Sequence, residues 1–310
     1  MIDIVCNIDQ SYIAYCGVML GSLFEHNPSE TFCIHAISSR VTPAQQMQLI
    51  TFCQKYKATL TFYNVDFDSI KDFPIKAKDH LSLAAYLRLF MSELLPSDID
   101  KVLYLDCDMI VVDSIRELWN IDISQVAVAA VEERPPYDTD SPLRLGYPSS
   151  FSYFNSGVML INLKRWREKD LLRHCKEFLA NQFEKIRLHD QDVLNALLYD
   201  ERLFLPIRWN VMDFFLFTRP LVQECRKEAL QQAIAQPGII HFTGKRKPWL
   251  HSCDSPYRNY YLKLARKYHW KVITPQESIR YYLRRCWYVI LTATHLQRKR
   301  TVDIPKKYRC

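Results

Sequence analysis

KVLYLDCDMIVV, residues 101–112, is an apolar, strand-forming run interrupted by two carboxylates. How those acids are read decides the fold. Val, Leu, Tyr and Ile favour extended backbone, and alternation along a strand sends residues two apart to the same face. Asp106 and Asp108 are therefore expected to point one way and Cys107 the other. Two like charges so close repel each other and lose hydration, so they need a cation or a set of donors to stay ionised. The ordinary alternative is a turn after the strand, where Asp is common.

Outward from this run the chain alternates between two periods. DIVCNI (3–8), FCIHAIS (32–38), TLTFYNV (59–65), VAVAAVEE (126–133), NSGVMLINL (155–163) and GIIHF (238–242) read as strands. Helical spacing covers 11–27 with Ser11 as N-cap, 42–56 with Pro43 near its start, 83–95 ended by Pro96, about 163–182, and a segment after His189. Such alternation predicts an α/β fold, Rossmann-like, with a mostly parallel sheet and helices on both faces. Ligands of such sheets sit beyond the carboxyl ends of the strands, where Asp9 and the Asp106/Asp108 pair fall. Residues 134–152, rich in Pro, Tyr and Ser, read as a long excursion beside that site.

Composition narrows the chemistry. The 310 residues are 48% hydrophobic and 24% charged, which describes a globular chain of one large domain or two small ones. There are only six glycines and no GxGxxG or GxxxxGK[ST], so any bound phosphates must be handled by something other than a nest of glycine amides. MIDIVCNID opens directly in a strand and does not resemble a signal peptide, and no apolar run approaches the roughly 20 residues of a membrane span. Ten scattered cysteines without a CxxC pair are expected to be reduced thiols of a cytoplasmic protein.

The net charge of +7 is concentrated at one end: residues 276–310 hold nine Lys or Arg against two acids, which accounts for all of it. Ile279, Tyr282, Leu283, Cys286, Trp287, Ile290 and Leu291 follow one face of a helix flanked by Arg280, Arg284 and Arg285. A basic helix with Trp and Tyr on its apolar side suits an anionic membrane surface, where each basic residue contributes about 1 kcal/mol. The alternative is a helix docked on the core with a solvated basic face. No nucleic-acid recognition motif accompanies the charge.

His241, in IIHFTGKRKPW (239–249), is a third candidate ligand, because a manganese-type ion accepts imidazole beside carboxylate oxygen. A strand-end histidine with only a structural role is the other reading. RLHDQDVLN (187–195) places Asp190, Gln191 and Asp192 at a helix start, where acids also serve as caps and dipole partners.

Four ordered motifs, DKVLYLDCDMIVVDSIRELW, YFNSGVMLINLKRW, HDQDVLN and HFTGKRKPW, resemble glycosyltransferase family 8 over about residues 2–270. These are retaining enzymes with the GT-A fold, among them bacterial lipopolysaccharide galactosyl- and glucosyltransferases and glycogenin. The resemblance implies that Asp106, Asp108 and His241 hold Mn2+ (or Mg2+) against the diphosphate of a UDP-sugar, with Gly244 and Lys247 near the phosphates. It places Asp9 on a uracil N–H, Tyr12 on the base, and Arg88 near the sugar and phosphates. Arg88 otherwise reads as a solvated arginine on an amphipathic helix. Asn155, Asp190 and Gln191 would line the sugar pocket with Glu133, or with Glu132 if the register differs. Retention through a covalent intermediate needs a carboxylate where Gln191 stands, so same-face attack is expected, with Gln191 stabilising positive charge beside Asp190.

The expected organisation is thus a catalytic domain over 1–270 and a basic aromatic C-terminal extension over 271–310. The expected partners are a UDP-hexose, a saccharide acceptor that is lipid-linked, and the inner face of the cell membrane. A metal-dependent nucleotidyltransferase also uses paired carboxylates, and release of pyrophosphate rather than UDP separates it. A non-catalytic UDP-sugar-binding protein or membrane scaffold would bind donor without hydrolysing it.

Overall fold

The computed structural model describes residues 1–65, 86–133, 140–218, 226–272, 279–294, 296 and 300–309. Among these, the strands in chain order are β1 (Ile2–Asp9), β2 (Phe32–Ser39), β3 (Thr59–Asn64), β4 (Lys101–Leu105), β5 (Met109–Val111), β6 (Val128–Glu132), β7 (Phe154–Asn162), β8 (Arg202–Phe204), β9 (Val211–Met212) and β10 (Ile239–His241). The chain divides into two compact units, and the boundary at 107/108 passes through the acidic motif itself.

The first unit comprises Met1–Cys16, Asn27–Cys107 and Ile115–Leu205. It is built on a seven-stranded sheet of order β3-β2-β1-β4-β7-β6-β8. β1 runs parallel to β2 and β4, β2 to β3, and β6 to β8, whereas β7 is antiparallel to both of its neighbours. The sheet is mostly parallel, as the alternation predicts. Parallel strands are covered on both faces, which is why β4, KVLYL, reads as a nearly unbroken apolar run. Tyr104, Phe154, Met159, Ile161 and Trp166 pack there against Leu171, Leu179, Leu194 and Leu198. Each such side chain contributes about 1.5–3 kcal/mol through burial.

The helices of this unit keep their expected places with local corrections. Helix Pro43–Gln54 begins in a capping box between Thr42 and Gln45. Ser11 does not cap helix Ile13–His26. The Ser11 hydroxyl instead donates to Asp9 Oδ1 (2.6 Å), which also accepts from Ser11 N (2.7 Å) and Tyr12 N (3.1 Å) in the turn that precedes the helix. The helix expected over 163–182 is two, Leu163–Glu168 and Leu171–Gln182, broken at Asp170 with φ +49°. Of the helix expected over 83–95, residues 83–85 lie outside the described ones, and the rest is a 3-10 turn, Leu87–Phe90, running into Met91–Leu94. Arg167 closes that end by donating to the carbonyl of Ser92 in the helix and to those of Pro96 and Ile99 in the loop that follows.

The second unit comprises Gly17–His26, Asp108–Ser114 and Pro206–Cys310. Its sheet has the order β5-β10-β9, with His241 paired to Met109 antiparallel and to Met212 parallel. Residues 101–112 are therefore not one strand. Met109–Val111 take their ladder bonds from β10, so the chain bends through 106–108 as it leaves the first sheet. Gly17 and Gly21, one turn apart, lie against the rings of Trp270 and Tyr268. A Cβ on either would come within 2.0 Å and 2.6 Å of them, so glycine is required there by close approach.

Beyond helix Arg258–Lys267, helix Ile279–Ala293 leaves Tyr282, Leu283, Trp287 and Ile290 exposed, with Trp287 at 62%. The chain then returns. Val302 N donates to Leu216 O at 2.8 Å, Ile304 and Tyr308 are buried, and Tyr308 lies 5.1 Å from the ring of Tyr260. Among the described residues no helix is long and apolar enough to cross a membrane.

Candidate active site

At the C-terminal end of β4 and on β7 the first unit gathers a buried polar network. Arg88 is 7% exposed rather than solvated. Its guanidinium pairs with Asp106 Oδ1 and with Asp190 Oδ2, both at 3.0 Å, donates to Ser156 O at 2.8 Å and stacks over Tyr104. Asp106 also accepts from Tyr104 Oη at 2.8 Å, and its backbone N–H donates to Gly157 O at 2.9 Å. Burial pushes the Asp190 carboxyl up to about 6; Arg88 opposes the rise and Asp106 adds to it.

Gln191 is fixed at both ends. Its Oε1 accepts from Ser156 N (2.9 Å) and Asn155 Nδ2 (3.1 Å), and its Nε2 donates to Glu133 Oε2 at 2.9 Å. Glu133, not Glu132, thus joins Asn155 and Gln191, since Asn155 Nδ2 reaches the same Glu133 oxygen at 2.9 Å. Asn195 holds the helix His189–Leu198 to β7, exchanging bonds with the Phe154 backbone and donating to Gln191 O.

Asp192, one residue further, is wholly buried and organises the entry to that helix. It accepts from Arg144 through both oxygens (2.9 and 3.1 Å), from Tyr153 Oη (2.8 Å), and from the backbone N–H of Arg187 (2.6 Å) and Leu188 (2.8 Å). These bonds hold the turn that puts His189 in the left-handed region at φ +49°, directly before Asp190.

In the second unit, the β5/β10 ladder brings Asp108 beside His241. His241 Nε2 lies 3.3 Å from Asp108 Oδ1, and Nδ1 is 3.0 Å from Asn210 Oδ1. With Nδ1 on Asn210, Nε2 is the ring nitrogen that faces Asp108. Lys247 Nζ bonds Asp108 Oδ2 and, at 2.7 Å, Phe242 O. Burial alone would raise the Asp108 carboxyl, but Lys247 and His241 hold it well below the ordinary carboxylate range. Asp213, half-buried at the end of β9, keeps an Oδ1 with no hydrogen-bond partner, and burial pushes its carboxyl up to about 6 against the charges of Lys247 and His241. Gly244 is open: an added Cβ would find only Arg246 N, at 3.9 Å, so the protein's own packing does not dictate glycine.

The ligand atoms of Asp106, Asp108 and His241 all lie within 4.8 Å of one another. Two carboxylates and an imidazole so arranged suit a divalent cation of the manganese class, which takes oxygen and nitrogen donors together. At the other expected donor contact, Asp9 has its Oδ1 committed to the loop, and Tyr12 packs edge-on to Tyr15 at 5.2 Å.

Ser156, Asn210, Asp213 and the organising part of Asp192 were not legible in the sequence. The only signal for Asn210 and Asp213 is a polar pair in the apolar run RWNVMDFF (208–215). Residues 134–152 and about 210–220 are the segments expected to choose the acceptor; of these, 134–139, 219 and 220 lie outside the described residues.

A family model described as Glycosyl transferase family 8 matches residues 3–253. General stress protein A of Bacillus subtilis is 29% identical over 279 residues, 88% of this chain and 96% of that one. Lipopolysaccharide 1,2-glucosyltransferase of Escherichia coli K12 is 25% identical over 278 residues, 89% and 81% of the two chains. The crystal structure of the galactosyltransferase LgtC with donor and acceptor sugar analogues superposes with a TM-score of 0.76 at 26% identity, covering 89% of this chain and 98% of that one. With the mostly parallel sheet, this likeness gives the GT-A fold that the motifs imply.

Proposed function

Since the chain belongs to glycosyl transferase family 8, we propose that it is a metal-dependent retaining hexosyltransferase that moves galactose or glucose from a UDP-sugar to a saccharide acceptor. The observation that carries the reading is the convergence of Asp106, Asp108 and His241 in a chain without a glycine-rich phosphate loop. Mn2+ or Mg2+ held there would supply Lewis-acid compensation for charge on the diphosphate leaving group.

The chain's own residues bind and orient the rest of the donor. Lys247 and the open backbone at Gly244 would meet the diphosphate, and Arg88 would lie near the hexose and the phosphates. Asp9, through its Oδ2, and Tyr12 take the uracil. Glu133, Asn155, Asp190 and Gln191 line the hexose. Gln191 is an amide and a poor nucleophile, which favours same-face departure and attack with a donor phosphate oxygen accepting the proton of the acceptor hydroxyl. The carbonyl dipole of Gln191, fixed by Asn155 and Ser156, opposes the positive charge that develops on the sugar. Trapping a covalent hexose on Asp190 during turnover would refute this route.

Residues 1–270 form the catalytic part of this reading and 271–310 an attachment element. The exposed Leu283, Trp287 and Ile290 support attachment, because a helix docked through its apolar face would bury them. The acceptor is then a lipid-linked saccharide such as lipopolysaccharide core, met by a peripheral enzyme at the cytoplasmic face of the membrane. Screening UDP-hexoses with Mn2+ for hydrolysis and thermal stabilisation tests the donor assignment, since a ligand at 100 times its Kd adds about 2.7 kcal/mol of stability. Equal binding of UDP with Mn2+ and with chelator would refute it.

A further inference from the structure

We propose that Lys247 is a tethered counter-cation of Asp108, which a divalent ion must displace, so that metal and nucleotide each favour the binding of the other. The proposal rests on the donor reading above and adds to it a coupling between metal and nucleotide through one side chain.

The argument begins with Asp108. Its side chain is 12% exposed, so little water is available to stabilise its charge. Both oxygens are engaged, Oδ1 with His241 Nε2 at 3.3 Å and Oδ2 with the Lys247 ammonium. Lys247 is itself only 19% exposed, and a second of its three N–H donors goes to Phe242 O at 2.7 Å, five residues back in its own loop. The ammonium is thus folded back onto the motif that carries it. The position is set by register, since Phe242 N donates to Asp108 O at 3.0 Å and His241 pairs with Met109.

A doubly charged ion on Asp108 would find a fixed positive charge on the same carboxylate, at a distance where repulsion through a partly buried medium is strong. Without nucleotide the ion must expel the ammonium from Asp108 and leave that cation with only Phe242 O and the attraction of Asp213. A diphosphate changes the balance by offering the expelled ammonium an anion. Metal binding then releases the lysine that the nucleotide uses, and nucleotide binding draws away the charge that opposes the metal. By linkage the two enhancements are equal.

The test is Mn2+ affinity, measured by the electron paramagnetic resonance of free Mn2+ with and without UDP, for the wild type, Lys247→Met and Lys247→Arg. Lys247→Met should bind Mn2+ alone about tenfold more tightly than the wild type, within the usual span of such couplings. The enhancement by UDP should shrink toward unity in that variant. Lys247→Arg, which keeps the charge, should stay near the wild type without nucleotide. Unchanged or weaker Mn2+ binding by Lys247→Met in the absence of UDP would overturn the proposal while leaving the donor assignment standing. Failure of all three proteins to bind Mn2+ even with UDP would overturn the donor assignment, and this proposal with it.

Discussion

Replacing Asp190 by asparagine is expected to make the protein relatively more stable at neutral pH than in mild acid. Asp190 has a side chain only 5% exposed, and its carboxyl is pushed up to about 6 by burial, which outweighs the Arg88 guanidinium at 3.0 Å. In the unfolded chain the same group releases its proton near pH 4. The folded state therefore binds a proton that the unfolded state has lost across the window from about pH 4 to about pH 6, and stability falls as pH rises through it. The whole window corresponds to about 3 kcal/mol, of which about 1.4 kcal/mol lies between pH 5 and pH 7.5. Asp190→Asn removes that slope. Urea unfolding of wild type and variant at those two pH values, with chelator present to keep the metal site empty, should show the stability difference shifting toward the variant by about 1.4 kcal/mol at the higher pH. Parallel pH profiles, or a shift of opposite sign, would refute the account of Asp190 as a carboxylate ionised at the expense of stability.

Three further outcomes are expected. Asn210→Ala should weaken Mn2+ binding by about 10- to 100-fold in titration calorimetry with UDP present, because the His241 ring loses the acceptor that orients it. Asp192→Ala should destabilise the protein by about 3–5 kcal/mol in denaturant unfolding, since Arg144, 7% exposed, loses the carboxylate it pairs with through both oxygens. The double change Leu283→Ser and Trp287→Ser should reduce sedimentation with vesicles of anionic phospholipid at least severalfold without lowering the melting temperature, because both side chains already face solvent. Unaltered sedimentation would remove those residues from membrane attachment.

The chemistry-bearing motifs were legible because their residue types are costly to bury without a purpose. Asp106, Asp108 and His241 stand out in apolar strands, and the DQD of 190–192 stands out at a helix start. Arg88 was legible as a residue but not as a buried one. Its helical spacing fits a solvated face equally well, and only the packing of the Leu87–Phe90 turn turns it onto Asp106 and Asp190. Ser11 reads as a cap, but its hydroxyl donates to Asp9 Oδ1, a contact that the local pattern does not specify.

The sequence by itself determined the alternation of strands and helices, the absence of a glycine phosphate loop and the acidic and histidine positions, all of which follow from local preference and the cost of burying charge. Tertiary structure decided that 101–112 bends between two sheets, that Glu133 rather than Glu132 meets Gln191, that Asn210 orients His241, and that Lys247 rests on Asp108. Those outcomes depend on pairing register and on contacts between residues up to 139 positions apart, where side chains compete for partners that no local pattern specifies.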